Sequence, residues 1–315
     1  MQLLAAGDTP RETPLPGGRG TRVSRIDLGW GTVCVKRTES TPGGPFDPLH
    51  GAGSSAEVRW LKAAQSIAPG CTPAVLGEHP AGAAFAMEYL PPDDFPSWQS
   101  QLAAGVVEPW IAAEVGHLIG RLHAATAHST AVQQQFEGRN AFLAQRLAPV
   151  FGDGAVAYPD CAWELRRREA ELATARTALV HGDLVPDNIL VGPRGPVLVD
   201  AECAHFGDPM VDAASLLAAL LARMAAHTQL RAAYAACWDA FQGSYLPHVT
   251  WEMHEHAEAR VAALVPAFTL ATIDAGGAAA HVPDRGRAAL CAMLLAAPSR
   301  LDALRATWLD AIADD

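Results

Sequence analysis

The chain changes character near residue 91, and this change limits the folds that it can adopt. Before that point, short runs such as residues 21–27 and 32–36 have the alternation or the β-branched composition of strands, and Gly and Pro separate them. After it, most of the chain is Ala- and Leu-rich and has helical spacing. We therefore predict an α+β fold of two lobes, a small β-rich lobe over residues 1–91 and a larger, mostly helical lobe over residues 92–315.

Several individual elements can be predicted inside these lobes. A serine at position 54 or 55 suits the start of a helix, and residues 83–90 read as a buried strand. Residues 110–127 have helical spacing, and from residue 210 onward the pattern predicts several helices and no strand.

The charge balance limits the partners that the chain can have. Its 315 residues include 34 Asp and Glu against 23 Lys and Arg, which gives a formal net charge of −11. Nucleic acids and anionic membranes bind proteins through clustered Lys and Arg, so we expect neither as the main partner. The acidic balance suits a cationic ligand instead.

The cysteines and the apolar segments indicate the compartment. The six cysteines are scattered without zinc-like spacing, so they read as small buried side chains in a reducing compartment. The N-terminal residues lack the basic and apolar regions of a secretory signal, and the most apolar run, residues 213–226, is too short to cross a bilayer. We expect a soluble, cytoplasmic protein.

One polar cluster stands in an apolar setting within the helical half. Short strands are predicted around it, and Asp183 and Asn188 lie five residues apart across a turn that contains Pro186. Both side chains can therefore face one cavity. Asp200 ends the next β-like run, which would place its carboxylate at the tip of a strand.

The residue types in this cluster suit phosphoryl transfer. A carboxylate and an amide oxygen are ligands that Mg²⁺ prefers, and Asp183 can accept a proton from an attacking hydroxyl. A base and two metal ligands are what phosphoryl transfer requires. The alternative is a polar loop held by Asx-turns, but the whole pattern, His-x-Asp-x-x-x-x-Asn followed by a strand-ending Asp, is rarely met by chance.

Residues 181–188 resemble the catalytic loop of protein kinases, and more closely the His-Gly-Asp form of aminoglycoside phosphotransferases and related small-molecule kinases. Residues 200–212 are similar to the metal-binding segment of that superfamily, with some likeness to the methylthioribose and fructosamine kinase branches. The resemblance covers about residues 15–225. It implies a two-lobed protein-kinase-like fold, with the nucleotide in the N-terminal lobe, and ATP and Mg²⁺ as cofactors.

The resemblance also implies roles for individual residues. Asp183 matches the catalytic base, and Asn188 and Asp200 match the ligands of Mg²⁺. Lys36 matches the strand lysine that contacts the α- and β-phosphates, and Glu57 matches its ion-pair partner. Glu39 is the alternative partner, although it lies too close to Lys36 in the sequence.

Further residues would surround the nucleotide. Residues 87–90 match the hinge whose backbone bonds the adenine, two apolar side chains would sandwich the base, and a glycine-rich loop would cover the phosphates, although its spacing is not that of protein kinases. The residues placed there are Cys34, Glu88, Leu90, Leu190, Gly18 and Gly20.

The acceptor is expected to be a small molecule. Gly182 stands where protein kinases have Arg, and no Ala-Pro-Glu segment follows Asp200. Two classes of acceptor agree about equally well with the sequence. One is an aminoglycoside-like or other antibiotic alcohol, which would imply a role in antibiotic resistance, and the other is a metabolic sugar such as a thioribose or ketosamine. The acidic charge favours a cationic acceptor, and Glu202 and Asp208 would line an acidic pocket for it. Rival readings are a nucleotide-binding module without transfer activity and transfer onto a protein side chain.

Overall fold

The structure is a computed structural model that describes residues 10–16, 21–38, 53–79, 82, 84–276, 282 and 284–313. Gly18, Gly20 and Glu39, to which the sequence assigns possible roles, lie outside the described residues.

The N-terminal lobe is built on an antiparallel sheet of five strands in the order β1-β2-β3-β5-β4. Its strands are β1 (Arg11–Leu15), β2 (Thr21–Leu28), β3 (Gly31–Thr38), β4 (Val75–Glu78) and β5 (Ala84–Glu88). The predicted strands correspond to β2, β3 and β5. The sequence did not indicate β1, which is mostly exposed and contains a proline, or β4, which has only four residues.

Helix α1 (Gly53–Ile67) confirms the predicted helix but begins at Gly53, so the serines at positions 54 and 55 lie in its first turn rather than before it. Val58, Trp60 and Leu61 are buried, because the apolar residues of this helix recur with helical period on the side that packs against the sheet and against the second lobe. The same helix carries Glu57 towards β3.

The C-terminal lobe is mostly helical. Its helices are α2 (Trp98–Ala103), α3 (Pro109–Thr126), α4 (Thr130–Gln135), α5 (Asn140–Phe142), α6 (Gly154–Ala157), α7 (Ala162–Thr174), α8 (Met210–Ala226), α9 (Arg231–Tyr245), α10 (His254–Asp274), α11 (Asp284–Ala296) and α12 (Leu301–Ala311). A π-helix, Leu143–Asp153, connects α5 to α6. No strand occurs after residue 210 in the part of the chain that the structure describes, as predicted.

Helix α8 forms the centre of this lobe. It is buried along almost its whole length and mostly apolar, and a helix of that kind must be surrounded by other elements. It packs against α9, α10 and α12, and the indole N–H of Trp308 on α12 donates to the carbonyl of Leu221 on α8 at 2.9 Å.

Two short antiparallel ribbons interrupt the helices where the lobes meet. β6 (Ala178–Val180) pairs with β9 (His205–Gly207), and β7 (Ile189–Gly192) pairs with β8 (Gly195–Leu198). The N–H of Leu198 donates to the carbonyl of Cys71 at 2.8 Å, which ties β8 to the segment after α1.

The predicted boundary at residue 91 lies between β5 and α2, and the division into 1–91 and 92–315 stays a prediction. Across the described ranges, no helix is both long and apolar enough to span a membrane.

Candidate active site

The predicted catalytic loop connects β6 to β7 and depends on a glycine. Gly182 has φ of +81°, and a Cβ at this position would lie 2.4 Å from the carbonyl oxygen of Cys203. Only glycine accepts both the left-handed backbone and this close approach. The turn directs the next side chain, Asp183, towards the junction of the lobes.

A buried carboxylate on α8 holds this loop. Asp212 accepts hydrogen bonds from the backbone N–H of His181 at 2.7 Å and of Gly182 at 2.8 Å, and from Nε2 of His123 at 3.1 Å. Burial alone would raise the pKa of Asp212, but the hydrogen bond from His123 and the neighbouring donors outweigh burial and hold it below the ordinary value. Asp212 is therefore a charged acceptor that fixes the loop backbone.

Asp183 has two polar neighbours of different kinds. One Nη of Arg146 lies 2.6 Å from its Oδ1, and Nδ2 of Asn188 donates to its backbone carbonyl at 2.9 Å and to its Oδ2 at 3.2 Å. Burial raises the pKa of Asp183, and the charge of Arg146 opposes that rise. The sequence did not identify Arg146, which lies on the π-helix and belongs to no local motif.

A second cluster surrounds Lys36 on β3. Its ammonium lies 2.8 Å from Glu57 and 3.5 Å from Glu202, and it also contacts Asp200. The predicted Lys36–Glu57 ion pair is therefore present. Burial would lower the pKa of Lys36, but the three carboxylates together raise it. Burial raises the pKa of Glu202 to about 7 even though Lys36 opposes that shift.

The residues predicted to hold Mg²⁺ fit that ion chemically. Asn188 uses its Nδ2 towards Asp183, which leaves its amide oxygen as an acceptor, and the N–H of Val199 donates to the Asn188 carbonyl at 3.0 Å. Asp200 is thereby held beside the catalytic loop. Three carboxylates share one ammonium here, so the cluster carries excess negative charge that a hard cation would compensate.

The residues predicted around the base lie on both lobes. Cys34 on β3 is buried opposite Met87 on β5, and Leu190 on β7 is half-buried and forms a bridge to Ser97. Glu88 ends β5, and its N–H donates to the carbonyl of Ala74 at 2.8 Å. Leu90 follows, and no residue in the described ranges bonds its backbone N–H.

The two carboxylates predicted to line an acceptor pocket lie in different environments. Glu202 belongs to the Lys36 cluster. One oxygen of Asp208 pairs with Arg260, and the other accepts from the N–H of Met210 at 3.0 Å. Asp208 thus connects the start of α8 to α10.

A cavity of about 380 Å³ adjoins the catalytic loop and contains neither of these carboxylates. Its wall includes residues 185–187 of the loop, Arg146 and Val150 of the π-helix, Arg223 of α8 and Phe268 of α10. Because Arg146 also pairs with Asp183, the cavity opens beside that carboxylate.

Several solved structures have a fold similar to that of this chain. A choline/ethanolamine kinase family protein from Mesorhizobium loti is 20% identical, with a TM-score of 0.54 over 98% of this chain and 94% of that chain. Choline kinase from Cryptosporidium parvum Iowa II is 13% identical, with a TM-score of 0.53 over 96% and 88%. A Plasmodium vivax ethanolamine kinase is 11% identical, with a TM-score of 0.51 over 99% and 84%. Identities this low show the fold alone.

A family model gives a more specific result. No curated protein sequence matches the chain. The model of the phosphotransferase enzyme family (APH) matches residues 12–258, which include both lobes, the Lys36 cluster and the catalytic loop. The chain therefore belongs to the phosphotransferase enzyme family and is an ATP-dependent small-molecule kinase with a protein-kinase-like fold.

Proposed function

We propose that the chain transfers the γ-phosphoryl group of ATP to a hydroxyl of a small molecule, with Asp183 as the base. The observation that carries this proposal is the position of Asp183. It is bonded to the predicted metal ligand Asn188 on one side and paired on the other with Arg146, which lines the cavity. A base that accepts the hydroxyl proton must touch both the nucleotide side and the acceptor side of a site.

The other residues would bind and position the nucleotide. Lys36, held by Glu57, would contact the phosphates, and Cys34 and Leu190 would enclose the adenine, with backbone groups of Glu88 and Leu90 as its hydrogen-bond partners. Asn188 and Asp200 would hold Mg²⁺, which neutralises charge on the phosphate oxygens when bound. Catalysis would then depend mainly on positioning and electrostatics.

The alternative of a nucleotide-binding module without transfer activity has less support. Lys36, Asp183, Asn188 and Asp200 are all present, and the contacts above join them in two adjacent clusters. The small-molecule acceptors to be tested are antibiotic amino sugars, metabolic sugars such as thioribose and ketosamines, and amino alcohols.

The proposed function is tested by ATP consumption with Mg²⁺ across pools of these acceptors, with the product identified by mass. In Asp183→Asn we expect transfer to fall by about a hundredfold or more, because general-base catalysis contributes at least that factor. ATP affinity should stay within a few-fold of wild type. Asp94→Asn, at an exposed position in the segment between β5 and α2, is the matched control and should retain full activity.

Retention of transfer in Asp183→Asn would remove this residue from the mechanism. Tight ATP binding by the wild type without transfer in any pool would favour the binding module. Phosphate on an added protein, rather than on a small molecule, would favour transfer onto a protein side chain.

A further inference from the structure

The cavity beside Asp183 has an unusual charge for a site that would bind an amine. It is lined by two arginines, Arg146 and Arg223, and by one carboxylate, Asp187, which is exposed. Carboxylates are the usual partners of a cationic ligand, and Asp187 is the only one among the described residues of this wall. The net charge of −11 is a property of the whole surface, whereas the lining of the cavity decides which ligand it accepts.

The two arginines differ in how their charge is used. Arg146 is neutralised by Asp183 at 2.6 Å. Arg223 donates to the carbonyl of Ala219 at 2.8 Å and to the amide oxygen of Gln99, and no carboxylate in the described ranges lies within ion-pair distance of it. Its burial lowers the pKa of the guanidinium, since that charge is partly removed from water. Arg223 therefore has no direct ion-pair partner among the described residues, and only the exposed Asp187 of the same wall offsets its charge from a longer distance.

Three residues of the wall have a buried side-chain atom that makes no hydrogen bond to any described residue. These atoms are Oγ of Ser215, a residue that is only 3% exposed, Nε2 of Gln145 and Nε of Arg146. Buried polar groups are normally hydrogen-bonded, so these atoms indicate a ligand group that completes them. All three can donate, and a ligand that satisfies them must supply acceptor oxygens.

We propose that the acceptor is a hydroxy acid whose carboxylate binds Arg223 and whose hydroxyl reaches Asp183. The proposal rests on the proposed kinase function. The apolar side chains of Val150 and Phe268 line the same cavity and would contact the carbon skeleton of the acid. We propose a carboxylate rather than a phosphate because its single negative charge matches the single positive charge of Arg223, which can bind it through two parallel hydrogen bonds.

The transfer step balances without a further reactant. The hydroxyl oxygen of the acid forms a bond to the γ-phosphorus of ATP, and the hydroxyl proton passes to Asp183. The bond between the γ-phosphorus and the β,γ-bridging oxygen breaks, and ADP leaves with the electron pair of that bond. The volume of about 380 Å³ is near the lower end of the range of small-molecule sites, roughly 300–1,000 Å³, and suits an acid of modest size.

The test compares acceptors that share one carbon skeleton and differ in the group at one end, which is a carboxylate, a neutral amide or an ammonium. Hydroxybutyrate, hydroxybutyramide and aminobutanol are assayed with ATP and Mg²⁺, as is the corresponding aromatic series of hydroxymethylbenzoate, its amide and its benzylamine analogue. With wild type we expect kcat/KM for an acid to exceed that for its amide by about tenfold or more, because hydrogen bonds to a charged group are the strong ones.

Arg223→Gln should reduce this acid-to-amide ratio to near one, mainly by raising KM for the acid, since glutamine keeps a donor but removes the charge. Arg166→Gln, at an arginine on α7 whose side chain is 60% exposed, is the control that should retain the wild-type ratio. The melting temperature shows whether the Arg223→Gln variant is folded. If the variant is unfolded, the acid-to-amide ratio measured with the wild-type protein decides the proposal.

Two results would overturn the proposal in distinguishable ways. Transfer to amides or amines with kcat/KM equal to or above that of the acids contradicts the hydroxy-acid acceptor and leaves the kinase function intact. No transfer to any compound in either series contradicts the acceptor class proposed here, and the independent pools of sugars and antibiotics then decide whether the kinase function stands.

Discussion

Gly182 lies directly before Asp183, and its backbone conformation determines where that carboxylate is placed. Its φ of +81° is similar to that of Gly70, at +88°, yet their surroundings differ. A Cβ at Gly182 would meet the backbone oxygen of Cys203 at 2.4 Å, whereas nothing lies within 4 Å of a Cβ at Gly70. The pair therefore separates the effect of backbone conformation from that of close packing.

At the residue scale we expect Gly182→Ala to destabilise the protein more than Gly70→Ala. The left-handed backbone costs each variant about 1–2 kcal/mol. Gly182→Ala must also shift the Cys203 backbone, which we expect to add about 2 kcal/mol or more, within the range of overpacked sites. Urea unfolding followed by tryptophan fluorescence measures both free energies. Equal losses in the two variants would show that the contact with Cys203 is unimportant.

At the scale of elements, α8 connects the helical core to the catalytic loop. Most of the helix is apolar and buried, and its first turn presents Asp212 to the backbone of His181 and Gly182. His123 on α3 donates to the same carboxylate and accepts from the hydroxyl of Tyr245 on α9 at 3.1 Å. Three helices therefore fix the position of one loop, and the loop depends on how they pack.

Asp212→Asn tests this connection. Asparagine has one acceptor oxygen where the carboxylate has two, so at least one buried N–H loses its partner, at a cost of about 1–3 kcal/mol. We expect the free energy of unfolding to fall by that amount and kcat to fall at least tenfold with little change in KM for ATP, since Asp212 acts through the loop. Asp302→Asn, on α12 with a 55% exposed side chain, is the control. A loss of stability with unchanged kcat would show that Asp212 does not position the loop.

At the scale of the whole molecule, stability should depend on pH through a buried histidine. His205 on β9 is 1% exposed, its Nδ1 donates to the carbonyl of Cys203 at 2.9 Å, and its ring stacks on Phe142. Burial lowers the pKa of His205 from 6.5 to about 4. The folded protein therefore keeps this ring neutral where the unfolded chain would already bind a proton.

The sign of the effect follows from proton binding. Between about pH 6.5 and pH 4 the unfolded state binds more protons at His205, so acidification through this window destabilises the fold by roughly 3 kcal/mol. His205→Asn, which can keep the bond to Cys203, should remove this part of the pH dependence. Urea unfolding at pH 7 and at pH 5 measures the change in the free energy of unfolding for wild type and for the variant. The other histidines contribute equally to the pH dependence of both proteins. The same pH dependence in variant and wild type would contradict the assignment.

The local features of this protein were determined by its sequence alone. Three strands of the first lobe, the helical character of the second and the short ribbons around the catalytic loop could be predicted, as could the proximity of Asp183 and Asn188, while the chemical roles of Asp183, Asn188 and Asp200 stay predictions. The reason is physical: these three residues lie within one stretch of turns and short strands, where the backbone fixes how far apart side chains can be. Strands β1 and β4 were missed because one is polar and exposed and the other is very short.

Only the tertiary structure decided which distant side chains meet. Arg146 reaches Asp183 because the π-helix packs beside the catalytic loop, and Arg223 lines the cavity because α8 turns that face towards α10. Asp208 is paired with Arg260, 52 residues further along the chain, a contact that the sequence did not indicate. The period of a helix shows which face is buried, but it contains no information about the element that covers that face. The charge of the cavity beside Asp183 therefore follows from the packing of the helices, not from the net charge of the chain.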